Sequence, residues 1–412
     1  SAGVLMNLLH LRSSSDSFAR SSLIAGTLAS LALAACGGAD GGGGTSSQPA
    51  GTPSPALIDA AIVSNKDGVV AAMTTIDANL SNPWGLAVAP GLPFWIADNN
   101  SNLTTLYSGT GSVETQTVTG STDVGITIPA SAAGVPANPT GQVYNGSDGF
   151  LIATSRGEEP AQFIFDGEGG TIAAWAVDSG SSAVTVYDDG VVNGANHAVY
   201  KGLAVATVNG APFLYATDLH NSKVDVFDTH FAKPANMQGK FLDPGLPPGY
   251  APFGIVTLEG RLYVTYASQD GAKHDETIGA GLGYVNVFDL SGNLVSRFAS
   301  AGVLNAPWGI AVAPAGFGSF EGDLLIGNFG DGRINVFRPN GTGEATAIGP
   351  LTVSNGGTVV IPGLWGLVFG NGDADKPVTT LFYTAGFANQ TDGVFGTIAP
   401  TSGTAQPPPN PY

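Results

Sequence analysis

An Asp or Asn stands nine residues before an aromatic in four places: Asp98 before Tyr107, Asp166 before Trp175, Asp218 before Phe227 and Asn328 before Phe337. The text between has one shape each time: ADNNSNLTTLY, FDGEGGTIAAW, TDLHNSKVDVF and GNFGDGRINVF. Each reads as a strand end, a tight Gly/Asn/Ser turn and a returning strand. A hairpin recurring roughly every 50–60 residues restricts the chain to a radial or stacked repeat.

A second signature precedes most of the hairpins. It reads PWGLAV at Pro83, KGLAV at Lys201, PFGIV at Pro252, PWGIAV at Pro307 and LWGLV at Leu364, with a weaker copy, PTGQV, at Pro139. The glycines at 85, 141, 202, 254, 309 and 366 lie 56, 61, 52, 55 and 57 residues apart. Six copies with room for four short strands each describe an all-β, six-bladed β-propeller. With strands lettered a to d outward, the Gly segment is strand a, the Asp or Asn ends strand b, and the aromatic lies on strand c. Blade two is irregular, and Phe150 to Thr154 reads either as its strand a or as an insertion. The last copy runs out after three strands, and the apolar segment ALIDAAIVS, residues 56–64, is left unassigned before the first. This N-terminal strand is expected to supply strand d of blade six, closing the ring and hiding two sheet edges.

Composition agrees: 43% of residues are apolar and only 11% charged, with 60 Gly and 27 Pro, a mixture suited to short strands and tight turns. The net charge of −18 repels phosphate backbones, so nucleic acid is not an expected partner. The sole cysteine, Cys36, follows Arg12, Arg20 and the apolar run Leu23 to Ala35, which resembles a bacterial lipoprotein signal. An ordinary secretory signal with an incidental cysteine is the alternative. The expected organisation is therefore a lipoprotein signal over 1–36, a Gly/Ser/Pro tether over 37–55, the propeller over 56–400 and a tail over 401–412. The protein is expected to be exported, monomeric, and in contact with the membrane only through that lipid anchor.

Strands run antiparallel, so the start of strand a and the end of strand b emerge at the same mouth of the tunnel. Asp98, Asp166, Asp218 and Asn328 are expected there as a metal set, since facing carboxylates favour a hard cation. Trp84, Lys201, Phe253, Trp308 and Trp365, just before the strand-a glycines, are expected to bind a small-molecule substrate. The b–c loops add Asn99, Asn100 and His220. The longer loop of blade four, 268–283, brings Asp270, Lys273, His274, Asp275 and Glu276. Each group also has a structural reading: Asx turns for the Asp/Asn positions and a tunnel plug for the aromatics. No nucleophile elbow, phosphate loop or multi-His zinc motif is present.

The stretches LSNPWGLAVAP, YKGLAVATVNGAPFLYATDLHNSKVDVFD, APFGIVTLEGRLYVTYASQD and LNAPWGIAVAPAGFGSFEGDLLIGNFGDGRINVFRPNGT resemble a bacterial family of secreted hypothetical propeller proteins, some with PEP-CTERM tails. The hairpins also resemble NHL repeats and the gluconolactonase, regucalcin and paraoxonase-like six-bladed propellers. The latter resemblance implies a catalytic Ca²⁺ over the tunnel, held by carboxylates at strand-b ends. On that basis the expected function is a Ca²⁺-dependent hydrolase of lactones or related esters, with Asp218 or His220 activating water. The alternative is a non-enzymatic surface module binding a glycan, peptide or envelope partner.

Overall fold

A computed structural model describes residues 56–69, 75–118, 121–123, 125–189, 197–341 and 343–401. The expected lipoprotein signal with Cys36, the expected tether and residues 402–412 of the expected tail lie outside the described residues.

Six blade sheets follow one another along the chain, as the strand-a glycines predict, antiparallel except where Thr75–Ile76 pairs in parallel with Leu57–Ser64. Blade one comprises Pro83–Ala87, Phe94–Asp98, Leu103–Tyr107 and Gly125–Thr127, in order a to d. Blade two comprises Pro139–Tyr144, Phe163–Gly167, Thr171–Trp175 and Val184–Asp188. Its irregular segment is an inserted hairpin, Leu151–Thr154 with Gly157–Pro160, between strands a and b. Blades four and five have all four strands, with strands a at Tyr250–Leu258 and Pro307–Val312.

Blade three departs from the four-strand expectation: Tyr200–Val208, Ala211–Asp218 and Lys223–Phe227 form a three-stranded sheet. The segment where strand d would follow contains Pro234, Pro244, Pro247 and Pro248, none of which can donate to a ladder. It covers the edge by other means. Gln238 donates its side-chain amide to the Val226 carbonyl at 3.1 Å, and Phe241 packs edge-on against Tyr215 and Phe288, at 5.7 and 5.5 Å.

The ring closes as expected. Leu57–Ser64 pairs antiparallel with Val394–Pro400, which in turn pairs with Leu381–Ala385 and so to strand a, Leu364–Phe369. Strand d of blade six therefore comes from the N-terminal side of the chain.

The strand-a glycines explain why six copies make a ring. A Cβ on Gly85 would lie 2.5 Å from the Thr140 carbonyl oxygen of blade two, and one on Gly366 would lie 2.8 Å from that of Trp84 in blade one. Gly141, Gly202, Gly254 and Gly309 meet the next strand a in the same way. Only glycine lets neighbouring backbones approach so closely around the axis. The aromatics nine residues after the Asp or Asn are all buried between blades. A cavity of about 330 Å³ runs between the strands a, lined by aliphatic residues such as Leu86, Val205, Ile255 and Leu367.

Candidate functional site

The residues before the strand-a glycines meet on the axis and pack into a plug. Trp84 stacks on Trp365 with centroids 3.4 Å apart, and Trp365 stacks on Phe329 at 4.1 Å. Phe253 and Trp308 meet Trp84 edge-on at 6.3 and 6.0 Å. Trp84, Phe253 and Trp365 are buried and Trp308 is half-buried. The expected substrate-binding aromatics therefore come together, and they form the floor of the mouth with little surface left for a ligand.

Above this floor a chain of polar contacts crosses five blades. Trp365 donates its indole N–H to Asn82 Oδ1 at 3.2 Å, and the Asn82 amide donates to Asn99 Oδ1 at 3.4 Å. Asn99 donates to Glu168 Oε2 at 3.1 Å. The ammonium of Lys201 pairs with Glu168 Oε1 and lies 3.3 Å from Asp275 Oδ1. Asp275 Oδ1 in turn lies 2.9 Å from His274 Nδ1. Lys201 is wholly buried, with its Nζ 5.2 Å from the Trp84 ring centroid, while His274 and Asp275 keep 45% and 61% of their side-chain surface exposed. The chain thus runs from a dry floor to a wet rim.

Its charges are set by their neighbours. Burial opposes the Lys201 charge, but Glu168, Glu276 and Asp275 outweigh it and hold the proton more firmly than usual. The His274 hydrogen bond, and then Lys201, hold the Asp275 carboxyl down at about 2. The same bond raises the imidazole of His274, against partial burial. Burial pushes Glu276 up to about 7 although Lys201 pulls it down.

Among the described residues, the donor atoms of Asp98, Asp166 and Asp218 do not come within 4.8 Å of one another as a group, and each of the four expected metal residues has partners of its own. Asp98 accepts the Thr105 hydroxyl at 2.8 Å, and Asp166 accepts Thr140 Oγ1 at 2.9 Å and the Gly141 N–H at 2.6 Å. Asp218 accepts the Asn221 and Val199 N–H groups at 3.1 and 3.2 Å and the Asn221 amide at 2.7 Å. Asn328 accepts the Asn305 N–H and donates to the Val303 carbonyl, at 3.1 and 2.8 Å. All four are buried; Asp218 ties its own turn through Asn221, whereas Asp98, Asp166 and Asn328 bond strand c, strand a and the 303–305 segment, and Asp98 Oδ1 and Asp166 Oδ2 have no hydrogen-bond partner among the described residues. Burial raises the carboxyls of Asp98, Asp166 and Asp218, Asp166 to about 7. His220 lies beside His197, ring centroids 4.5 Å apart, and its carbonyl is near the Gln269 amide.

Among the described residues, Glu168, His274 and Asp275 form the one group of three or more His, Cys, Asp or Glu side chains whose candidate donor atoms lie within 4.8 Å of one another. The Lys201 ammonium already contacts both carboxylates, so this set does not suit a resident Ca²⁺. His274 and Asp275 were visible in the long blade-four loop. For Glu168 the sequence offers one signal, a carboxylate two residues after Asp166 in a b–c turn.

No family model matches the chain. "Uncharacterized protein R648" of Acanthamoeba polyphaga mimivirus is 34% identical over 328 residues, covering 78% of this chain and 76% of the viral protein. "Uncharacterized protein L690" of the same virus is 32% identical over 346 residues, covering 82% and 84%. The resemblance pointed to bacterial proteins, whereas these relatives are viral. Among solved structures, a putative gluconolactonase shares 16% identity at a TM-score of 0.38, covering 64% of this chain and 88% of its own.

Proposed function

Because the chain belongs to the family of these uncharacterized mimivirus proteins, whose names assign no activity, we propose from its own residues a hydrolase of lactones or related esters working at the polar mouth. One observation carries this reading: the half-exposed His274–Asp275 pair, tied to a buried lysine. Asp275 accepts the Nδ1 proton and leaves Nε2 as the base. Nε2 takes a proton from water as the water oxygen bonds to the carbonyl carbon. Collapse of the tetrahedral adduct breaks the ester C–O bond, and the imidazolium returns the proton to the departing alkoxide. Lys201 and Glu168 act as positioning residues, holding Asp275 and, through it, the imidazole. This route uses no divalent cation. Turnover of a panel of lactones and aryl esters by the purified protein in the presence of a chelator tests it; no turnover across the panel contradicts it.

A non-enzymatic binding module is favoured by a different observation. Glu168 and Asp275, joined by Glu276 as pH rises above about 7, outnumber Lys201 at the mouth, and the chain carries −18 overall. Such an excess suits a basic ligand. Salt-sensitive binding of a cationic peptide, lost in Asp275→Asn, is the result that reading requires.

A further inference from the structure

We infer that Lys201 is the built-in cation of the mouth, its ammonium standing among Glu168, Asp275 and Glu276 where a divalent ion would otherwise be held. The inference is independent of whether the mouth hydrolyses anything.

Three observations support it. The first is position. Lys201 is the second residue of strand a in blade three, and its side chain is fully buried. From there Nζ reaches Glu168 on the b–c turn of blade two and Asp275 on the b–c loop of blade four. One side chain thereby joins three blades, as a shared metal ion would. The second is the donor set. Oxygens of Glu168 and Asp275 and a nitrogen of His274 converge within 4.8 Å, and the ammonium contacts both carboxylates. The third is the way the lysine is fixed. Its Nζ lies 5.2 Å from the Trp84 ring centroid, and its carbonyl accepts the Trp308 indole N–H at 2.8 Å. A solvated surface lysine has none of these restraints.

A lysine in this place differs from a metal in its consequences. It cannot dissociate, so a chelator leaves the mouth intact. An ammonium brings one charge and three donors to carboxylates that would otherwise repel one another. Removing it should leave the carboxylates facing one another around a vacated side-chain volume, the condition under which a hard cation binds.

Calorimetric titration of the purified wild type and Lys201→Ala with Ca²⁺, and separately with Mn²⁺, tests this, alongside melting with and without chelator. The wild type should show no saturable binding lost in Asp275→Asn and no chelator-dependent shift in melting. Lys201→Ala should bind one ion per chain at least about 100-fold more tightly than the wild type and melt higher as the ion is added. Lys201→Arg should behave as the wild type. Wild-type binding that Asp275→Asn removes would overturn the inference, as would a folded Lys201→Ala with no ion response. Should Lys201→Ala fold only with the ion present, the inference stands. Should it not fold at all, Lys201→Gln, which removes the charge and keeps much of the volume, replaces it under the same criteria, and the wild-type titration decides in any event.

Discussion

Tyr383, on strand b of blade six, donates its hydroxyl to Asp59 at 3.0 Å across 324 residues of sequence. Asp59 belongs to the N-terminal strand that completes this blade, so the contact joins the two ends of the ring. Deleting residues 55–66 should expose the outer edge of Val394–Pro400 and cost several kcal/mol, of the order seen when a buried strand is lost. An unchanged melting temperature in the deleted protein would place the closure elsewhere.

Burial raises the Asp59 carboxyl from 3.8 to about 7, against the Tyr383 hydrogen bond. The folded state therefore holds a proton that the unfolded chain gives up. Its contribution to stability is complete below pH 3.8 and is lost as pH rises towards 7. Asp59→Asn mimics the neutral carboxyl. It should match the wild type near pH 4 and be more stable near pH 8, by at most about 4 kcal/mol. Equal destabilisation at both pH values would show that the ionised form is the one the ring uses.

The axial glycines should not tolerate a methyl group. A Cβ on Gly85 would lie 2.5 Å from the Thr140 carbonyl oxygen and 2.9 Å from the Gln142 nitrogen, both backbone atoms of the next blade. Gly85→Ala should cost about 1–3 kcal/mol or more, read by denaturant melts. A neutral outcome would mean that neighbouring blades can separate at the axis.

These glycines made the ring legible in the sequence, because close backbone approach at each strand a admits no other residue. Asp218 and Asn328 were legible as strand ends from the Gly/Asn/Ser turns that follow them, although their side chains also reach back to Val199 and to Val303 and Asn305, which nothing local signals. The mouth was less legible. Glu168, Lys201 and Asp275 lie on three different blades, and nothing local in their surroundings says that they meet. Their contact follows from the ring geometry. The missing strand of blade three was hidden by the assumption of regularity, although its four prolines were in plain view.

Asp218→Ala separates the structural role of that position from the metal role first expected for it. Two hydrogen bonds in the turn and one to the Val199 N–H are lost, which should cost about 1–3 kcal/mol with no change in response to Ca²⁺ or chelator. Loss of a Ca²⁺-dependent rise in melting temperature on this substitution would restore the strand-b ring as a cation site.

We further propose that the chain is lipid-anchored through Cys36, as its N-terminal sequence leads one to expect. Cys36→Ser should move the protein from the membrane to the soluble fraction in an exporting bacterial host without altering the melting of the propeller. Retention in the membrane fraction would count against lipidation at this cysteine.

The most direct measurement is the initial rate of lactone opening by the wild type and His274→Gln, across pH 5–9 and with chelator throughout. The wild-type rate should be indifferent to the chelator. It should rise with pH through a pKa above the ordinary 6.5 of histidine, because the Asp275 hydrogen bond raises the imidazole and only its neutral form is a base. His274→Gln should lower the rate by roughly 10²–10⁴-fold with the fold intact. A wild-type activity abolished by the chelator, or one that survives His274→Gln unchanged, would contradict a mouth that works through His274 and Asp275.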